Sequence, residues 1–575
     1  MQSINIDRSG HCPGVGCDIR TPAEAGKRLG LSYRFSTVAL FWALVLVGFS
    51  LPVCSFGATR SPKQRVAPLW SRFEQVLLST CEYANALQEA NLTAVFTSPQ
   101  GERRVVNGFW DGGKVWRVRF CPDVPGQWTF TTFCSDPKNA GLDGQTGKFL
   151  CTAPVGDSVF RQHGPIRVAR DHTHFEHADG TPFFWLADTA GSAAVLSSPK
   201  DWLRYASIRS SQLFNAALWS LRVGENYEHE SALAGFSERI TINPRFFQHL
   251  DSKLEALSGD GILSAIMPLT DTDSGLGGNS LPEDQAALLV RYLLARWGAE
   301  PVVWVMGSDQ NAGDEIERFR TICSAAFTNS VRAPVMFYAG SSRELAKELR
   351  NEVWVDALGI EASADIQSDE AGGGAQERTS GLHLPIVLFI PRENGVIPST
   401  HERIKPEAVR HAAYQGLLLS PPAGVTYAAQ GVVNWDTTAD HTPAAGLGAG
   451  MPLWEKALFM PGAKQMRCLA NLMNSIDFWR LRPQPEAVTH QASQTADETH
   501  AVAASTSAKD LTLVYLPQPS SVDVSLQAMP ASPLISWLEP RQGFTRSAVA
   551  VVSGSVCQFP PPGEGDWVLV IKSSK

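Results

Sequence analysis

A chain of 575 residues is too long to fold around one hydrophobic core, so its length predicts two to four domains. Its 44% hydrophobic and 18% charged residues are typical of a globular protein rather than a disordered one. The net charge of −8 argues against general nucleic-acid binding, which needs a basic surface to neutralise phosphates.

The first segment, residues 1–58, predicts export. Basic residues are spread over positions 1–34, and the stretch 35–59 is apolar and carries no charge. A basic region, an apolar run and small residues together describe a secretory signal peptide. Because the basic region is long, a membrane anchor is the alternative. We expect a periplasmic, cell-surface or secreted protein.

Residues 66–155 have the pattern of an all-β domain. Short runs that suit strands are Leu92–Phe96, Val115–Phe120 and Trp128–Phe133, and turn residues such as Asp111-Gly112-Gly113 separate them. This spacing predicts an immunoglobulin-like β-sandwich. Four cysteines in this part of the chain could form disulfides in an exported protein, in a pairing that the sequence does not define.

Residues 160–480 alternate eight apolar strand-like runs with helical stretches, which predicts a closed (β/α)₈ TIM barrel. Continuous apolar strands indicate a sheet that is buried on both faces. The predicted strands are Phe183–Leu186, Phe214–Trp219, Ile262–Met267, Val302–Met306, Val335–Tyr338, Val355–Leu358, Ile386–Ile390 and Gly424–Tyr427.

Residues 481–575 return to a β pattern, with strand-like runs at Leu511–Tyr515, Val522–Leu526 and Trp567–Ile571. They predict a small C-terminal β-sandwich. The expected fold class is thus multidomain, with a central TIM barrel between two β-sandwiches.

In a TIM barrel the active site lies where the strands end, which reduces the search to a few polar and aromatic residues. Carboxylates dominate this set, and no CxxC pair or HExxH motif accompanies them, so we expect no metal and no cofactor. The set consists of Asp188, Asn215, Asp271, Asp273, Asp309, Asn311, Glu361, Glu393 and Trp435.

Two of these carboxylates, Asp309 after strand four and Glu393 after strand seven, are the predicted catalytic pair. Glycoside cleavage uses one protonated and one ionised carboxyl, about 5–5.5 Å apart in retaining and about 6.5–9.5 Å apart in inverting enzymes. Strands four and seven lie across the barrel, so both side chains could approach one sugar. As alternatives, Asp309 could cap a helix and Glu393 could be a solvated loop residue beside Arg392.

The remaining residues are predicted to bind the carbohydrate substrate. Asp188 either binds a sugar hydroxyl or braces the barrel mouth, and Asn215 and Asn311 are expected to bind the substrate. Asp271 lines the cleft or, as the alternative, lies in an exposed loop. Tyr338 and Trp435 could stack on sugar faces, with packing in the core as the alternative.

Several segments together resemble the apiosidase-like glycoside hydrolase family. In the first domain these are Gly108-Phe-Trp-Asp-Gly112 and Pro125-Gly-Gln-Trp128, and in the barrel Asp179–Ala190 and Gly307-Ser-Asp-Gln-Asn311. The last segment is similar to the family's Gly-Gly-Asp-x-Asn, whose Asp is the acid/base. The resemblance implies a barrel with an N-terminal β-sandwich and a C-terminal module of collagen-binding type, which Val514-Tyr-Leu-Pro517 matches.

The chain departs from this family at strand seven. The family run Gly-Glu-Pro-x-Tyr-Glu carries the nucleophile in its first Glu, whereas this chain reads Phe389-Ile-Pro-Arg-Glu-Asn394. Ile390 takes the nucleophile's place, and Glu393 follows three residues later. The rival hypothesis is therefore a non-catalytic carbohydrate-binding or surface protein with a degenerate barrel.

Overall fold

The computed structural model describes residues 64–234, 239–270, 281–307, 316–328, 332–362, 384–397, 400–420, 423–438, 452–491 and 500–574. The predicted signal peptide or anchor, 1–58, lies outside these ranges. Within them, no helix combines the length and the apolar character needed to cross a bilayer. The seven cysteines of these ranges are free thiols.

The N-terminal region consists of two β-sheets around an aromatic core. One sheet has the order β1-β8-β7-β3-β4 and the other the order β2-β6-β5. Phe73 stacks on Phe149, and Phe96 stacks on Phe120, between the sheets. The elements are β1 (Val66–Pro68), β2 (Phe73–Leu78), α1 (Ala86–Glu89), β3 (Leu92–Thr97), β4 (Arg103–Asn107), β5 (Phe109–Trp110), β6 (Val115–Phe120), β7 (Gly126–Cys134) and β8 (Thr146–Thr152).

A short helix and a three-stranded sheet follow: α2 (Val159–His163), β9 (Ile166–Val168), β10 (Phe175–His177) and β11 (Pro182–Phe183). Their side chains Phe160, Phe175 and Phe183 belong to the same hydrophobic cluster as the residues inside the barrel. Since β11 immediately precedes the first barrel strand, this cluster closes the barrel at the end where its strands begin.

The centre of the chain is a closed barrel of eight parallel strands in chain order, which confirms the predicted TIM barrel. Alternate residues point inward and outward. On the first strand, Trp185 and Ala187 face the lumen, and Leu186 packs against the helices. The strands are β12 (Trp185–Gly191), β13 (Ala216–Ser220), β14 (Leu263–Met267), β15 (Val302–Met306), β16 (Val335–Tyr338), β17 (Ala357–Glu361), β18 (Ile386–Phe389) and β19 (Gly424–Tyr427).

Helices pack on the outside of the barrel. The longer ones are amphipathic; the helix before strand four buries Ala286, Leu289, Val290 and Leu293 on its inner side. Proline at the first turn begins four of them, where its missing N–H costs nothing. The helices are α3 (Ala193–Leu196), α4 (Pro199–Ser211), α5 (Pro244–Gly259), α6 (Glu283–Trp297), α7 (Ile316–Phe327), α8 (Arg343–Leu349), α9 (Pro406–Leu418), α10 (Trp454–Ala457) and α11 (Pro461–Asn474).

The C-terminal region is again made of two sheets, with the orders β20-β22-β23-β29-β25-β26 and β21-β24-β28-β27. Short 3₁₀ turns lie at Phe478–Arg480, Pro485–Ala487 and Leu526–Ala528. The strands are β20 (Leu481–Pro483), β21 (Val488–Gln491), β22 (Val502–Thr506), β23 (Leu511–Leu516), β24 (Val522–Ser525), β25 (Pro533–Leu538), β26 (Thr545–Ser547), β27 (Val551–Ser553), β28 (Val556–Phe559) and β29 (Trp567–Ser573).

Candidate active site

The mouth of the barrel, where the strands end, has an aromatic floor. Tyr338 ends β16 and Phe389 ends β18, and their ring centroids lie 4.4 Å apart. Gly359 on the strand between them makes this contact possible, because a Cβ there would lie 2.7 Å from the Phe389 ring. Tyr338 is 5% exposed. Most of the Tyr338 surface therefore contacts the protein, as the packing alternative to sugar stacking predicts.

Glu361 brings a carboxylate to this mouth. It is the last residue of β17 and has the same parity as Gly359, so it lies on the inward-facing side of the strand. It is in register with Phe389, at the level of the aromatic floor, and it is exposed. The sequence placed Glu361 at a strand end without giving it a role; only the parity of the strand shows that it faces inward.

Asp309 and Asn311, and likewise Asp271 and Asp273, lie outside the described residues. β15 ends at Met306, so Asp309 follows the fourth strand closely in sequence. The catalytic role of Asp309 and the binding roles of Asn311 and Asp271 remain predictions.

Glu393 lies outside the barrel wall, between β19 and the first turn of α11. One carboxylate oxygen accepts a hydrogen bond from the Tyr427 hydroxyl, and the backbone N–H of Gly462 donates to both oxygens at 3.1 and 3.0 Å. Tyr427 belongs to the outer layer of the barrel rather than to its lumen. Glu393 is 2% exposed, so its carboxylate is enclosed by the protein.

The surroundings of Glu393 shift its proton equilibrium in opposing directions. Burial raises the pKa of Glu393, while the hydrogen bonds from Tyr427 and Gly462 and the positive charge of Arg209 lower it, and the balance is a raised pKa. A raised pKa suits a general acid, but buried structural groups show it as well. To reach a sugar, Glu393 would have to leave both partners, and its catalytic role remains a prediction that activity must test.

Asp188 braces the barrel and does not face the mouth. Its parity on β12 turns it outward, where Arg209 of α4 donates to its two oxygens at 2.8 and 3.2 Å and the Tyr205 hydroxyl donates at 2.9 Å. The side chain is fully buried. The predicted role in sugar binding is corrected to the bracing alternative, because a carboxylate shielded from solvent by an arginine and a tyrosine is inaccessible to a ligand.

Asn215 was predicted to lie at the mouth end of its strand, and this position is wrong. Asn215 precedes β13, so it lies at the end of the barrel opposite the mouth. There its side-chain oxygen accepts from the Leu186 N–H at 2.9 Å, and its amide donates to the Phe184 carbonyl at 2.7 Å. The residue ties two neighbouring strands together where they begin.

Trp435 is a core residue. Its ring stacks on that of Trp454 with centroids 4.1 Å apart, and Tyr205 contacts it edge-on. The side chains of Trp435, Trp454 and Tyr205 are all buried. The packing alternative therefore replaces the predicted sugar-stacking role.

Glu228, Glu230 and His249, which follow β13 in the sequence, lie close together and are residue types that can bind a metal ion. His249 Nε2 lies 3.1 Å from Glu228 Oε2 and 3.7 Å from Glu230 Oε2. The Arg245 guanidinium donates to the other oxygen of Glu230 at 2.9 Å. This arginine supplies positive charge to the group, which can be explained as an ion-pair network. The expectation of no metal and no cofactor stays a prediction.

Comparison with known proteins places this architecture in a family. The apiosidase-like catalytic domain family matches residues 169–480, more than half of the chain. The chain belongs to this family. In this apiosidase-like chain, residues 67–135 match a domain of unknown function, DUF5060, and residues 483–572 match the "putative collagen-binding domain of a collagenase". The resemblance predicted from the sequence motifs is confirmed.

Solved structures share the fold of this apiosidase-like chain. A glycoside hydrolase family 5 protein of Bacteroides vulgatus is 17% identical with a TM-score of 0.62, over 73% of this chain and 95% of its own. A "putative glycoside hydrolase" of the same organism is 16% identical with a TM-score of 0.67, over 88% and 100%. No curated protein matches. At these identities the likeness shows the fold, and family and fold together support a glycosidase.

Proposed function

We propose that the chain is an exported glycoside hydrolase that cleaves O-glycosyl bonds of a poly- or oligosaccharide with two carboxylates. The proposal depends on one observation: in a barrel of the apiosidase-like family, Glu361 presents an exposed carboxylate on the inward side of a strand end. The apolar stretch 35–59 behind a basic region supports export.

Asp309 is the proposed acid/base. It follows β15, and in TIM barrels catalytic residues come from strand ends. Protonated, it would donate to the leaving oxygen while an ionised partner attacks the sugar or activates water. Its family motif, Gly307-Ser-Asp-Gln-Asn311, supports the same role.

Two residues compete for the role of the partner. Glu393, predicted from the sequence, is buried outside the barrel wall, whereas Glu361 is exposed on the inward side of its strand end. One strand, β16, separates β15 from β17, so the two strand ends are about 9–10 Å apart. That spacing suits an inverting pair, with carboxyls about 6.5–9.5 Å apart, better than a retaining one. We favour Glu361.

The test measures sugar release from a glycan panel by the wild-type protein and by D309N, E361Q and E393Q, together with the melting temperature of each. Loss of activity in D309N and E361Q at unchanged stability, with E393Q active but less stable, is the expected result. An inactive E393Q that melts like the wild type would return the partner role to Glu393. Full activity in D309N would refute the acid/base assignment.

A non-catalytic carbohydrate-binding protein is the second candidate. The end of β18 favours it, since Ile390, directly after the last residue of this strand, occupies the position where the family run carries its nucleophile. A wild-type protein that binds a glycan of the panel and releases no sugar from it would establish this function and refute the first.

A further inference from the structure

A cleft of about 890 Å³ lies between the barrel and the C-terminal sheets, away from the mouth. One wall is the exposed side of α11, where Lys464, Arg467, Asn471 and Ser475 recur every three or four residues. The other wall is formed by β25, β26 and the end of β29. Lys464 lies in α11 and Ser475, eleven positions later, caps its C-terminal end, so the wall is about 16 Å long.

The two walls are held in place by buried contacts. Arg410 of α9 donates to both oxygens of Asp566 at 2.6 and 2.7 Å, and the Tyr515 hydroxyl donates to the same carboxylate at 2.8 Å. At the cleft itself, a Cβ on Gly543 would lie 3.3 Å from Cys468 Sγ of α11, so the turn and the helix are in close approach. The cleft is therefore preformed, and a ligand would not have to organise it.

The charge of the cleft is opposite to that of the whole chain. Lys464, Arg467, Arg541 and Lys572 line it, and among the residues described there no Asp or Glu does. Arg541 pairs with Glu539, but Lys464 and Arg467 form no ion pair with any carboxylate that the structure describes. In a protein of net charge −8, cations left without counter-charges in one cleft favour an anionic ligand.

The rest of the lining suits a sugar chain. Asn471, Ser536 and Gln542 offer amide and hydroxyl groups for hydrogen bonds. Phe459, 53% exposed, adds an apolar surface. The volume lies within the range of about 300–1,000 Å³ that is usual for ligand sites. A flexible polyanion without ring hydroxyls would leave these amides unused.

We propose that this cleft binds an acidic oligosaccharide, such as a chain of uronic acids, with Lys464 and Arg467 paired to its carboxylates. The sugar part of this inference rests on the proposed glycoside hydrolase function; the charge part does not. The lining of the cleft includes none of the residues at which the barrel strands end, so the cleft is separate from the mouth. The cleft would thus hold the polysaccharide beside the enzyme rather than in its active site.

The test is affinity electrophoresis of the full chain in gels that contain polygalacturonate, neutral galactan or a single-stranded DNA oligonucleotide. We expect retardation by polygalacturonate, and an affinity roughly tenfold lower in the K464Q/R467Q double variant. The control is K138Q/K148Q, which removes two exposed lysines of the N-terminal region and should bind like the wild type.

Three outcomes would overturn the proposal: equal retardation by galactan, equal binding of K464Q/R467Q and wild type, or binding of DNA as tight as that of polygalacturonate. The D309N variant separates the two proposals, because it should bind polygalacturonate like the wild type. A chain that binds polygalacturonate through the cleft but releases no sugar from any glycan would refute the proposed function and leave this inference intact.

Discussion

The Glu393 carboxylate lies so close to the backbone of Gly462 that position 462 has no room for a side chain. A Cβ on Gly462 would lie 2.3 Å from Glu393 Oε2 and 3.1 Å from the Tyr427 ring. Gly462 occupies the first turn of α11, where alanine would normally stabilise a helix by up to about 1 kcal/mol. Here the clash should outweigh that gain.

We therefore predict that G462A lowers the free energy of unfolding by about 1–3 kcal/mol, the usual cost of overpacking. Urea denaturation measures it. The matched control is G259A, at the end of α5, where a new Cβ meets no atom within 4 Å. An unchanged or more stable G462A would show that Glu393 moves away easily, and would thereby favour its catalytic role.

Asp188 neutralises the buried guanidinium of Arg209, which donates hydrogen bonds to both of its carboxylate oxygens. Both side chains are almost completely buried, so removing the carboxylate's charge leaves a cation in the protein interior. We expect D188N to lower the free energy of unfolding by about 3–5 kcal/mol. E455Q, which breaks the exposed pair of Glu455 with Arg204, should cost less than about 1 kcal/mol. Similar losses in the two variants would contradict the bracing role.

At the scale of single elements, α5 stabilises the short helix α3 through a buried lysine. Lys253 Nζ donates to the Ala194 and Ser197 carbonyls at 2.7 and 2.5 Å, beside the C-terminal end of α3. No carboxylate bonds to it among the described residues. Burial lowers the pKa of Lys253 to about 7.

This pKa makes the stability of the protein depend on pH. Between about pH 7 and pH 10.4 the unfolded chain binds a proton at Lys253 that the folded chain has lost, so stability rises with pH across this window. The slope from this residue reaches about 1.4 kcal/mol per pH unit. Denaturation of wild type and K253M from pH 6 to pH 10 should show that the free energy of unfolding of the wild type increases relative to that of K253M. Parallel curves would contradict this prediction.

Strand positions were predictable from the sequence because short, mostly apolar runs of four or five residues are typical of the buried strands of a parallel barrel. The runs 302–306, 335–338 and 424–427 are strands with the predicted bounds. The direction of each side chain was not predictable, because a shift of one residue exchanges the inner and outer faces. Asp188 was assigned to the mouth for this reason, and it faces α4 instead.

The paths of the loops were even harder to predict from the sequence. Asn215 directly precedes its strand. The sequence predicted it inside the strand, and a polar residue inside a predicted strand does not show at which end it lies. Glu393 leaves the barrel because its backbone pairs with Ala428 and Gln430 beyond β19, a contact between segments 35 residues apart or more. The bonds of Glu393 to Tyr427 and Gly462 depend on the same tertiary contact, so no local pattern announces them.

At the scale of the whole molecule, buried arginines of barrel helices connect the barrel to both β regions. Arg296 of α6 bonds Asp111 of the N-terminal region at 2.8 Å and Asp251 of α5 at 2.9 and 2.8 Å. Arg410 of α9 bonds Asp566 of the C-terminal region. Because breaking a buried ion pair costs more than breaking an exposed one, these contacts should make the regions unfold together.

The pair of Arg410 and Asp566 allows a direct test of this coupling. Burial alone would raise the pKa of Asp566, but the hydrogen bonds and charge of Arg410 outweigh it, and the pKa is lowered. The contribution of Asp566 to stability is therefore present above its unfolded pKa of about 3.9 and is lost as the pH falls through the lower folded value. At neutral pH, D566N should cost about 3–5 kcal/mol.

Calorimetry distinguishes loss of stability from loss of coupling. We expect one thermal transition in the wild type and two in D566N, with the C-terminal region melting first, because its sheets keep their own core while their buried ion pair with α9 is lost. D510N, which removes the partly exposed pair with Arg480, should keep a single transition. If D566N also melts in one step at a lower temperature, the stacking of Tyr414 on Tyr515 is enough to couple barrel and module, and the ion pair adds stability alone.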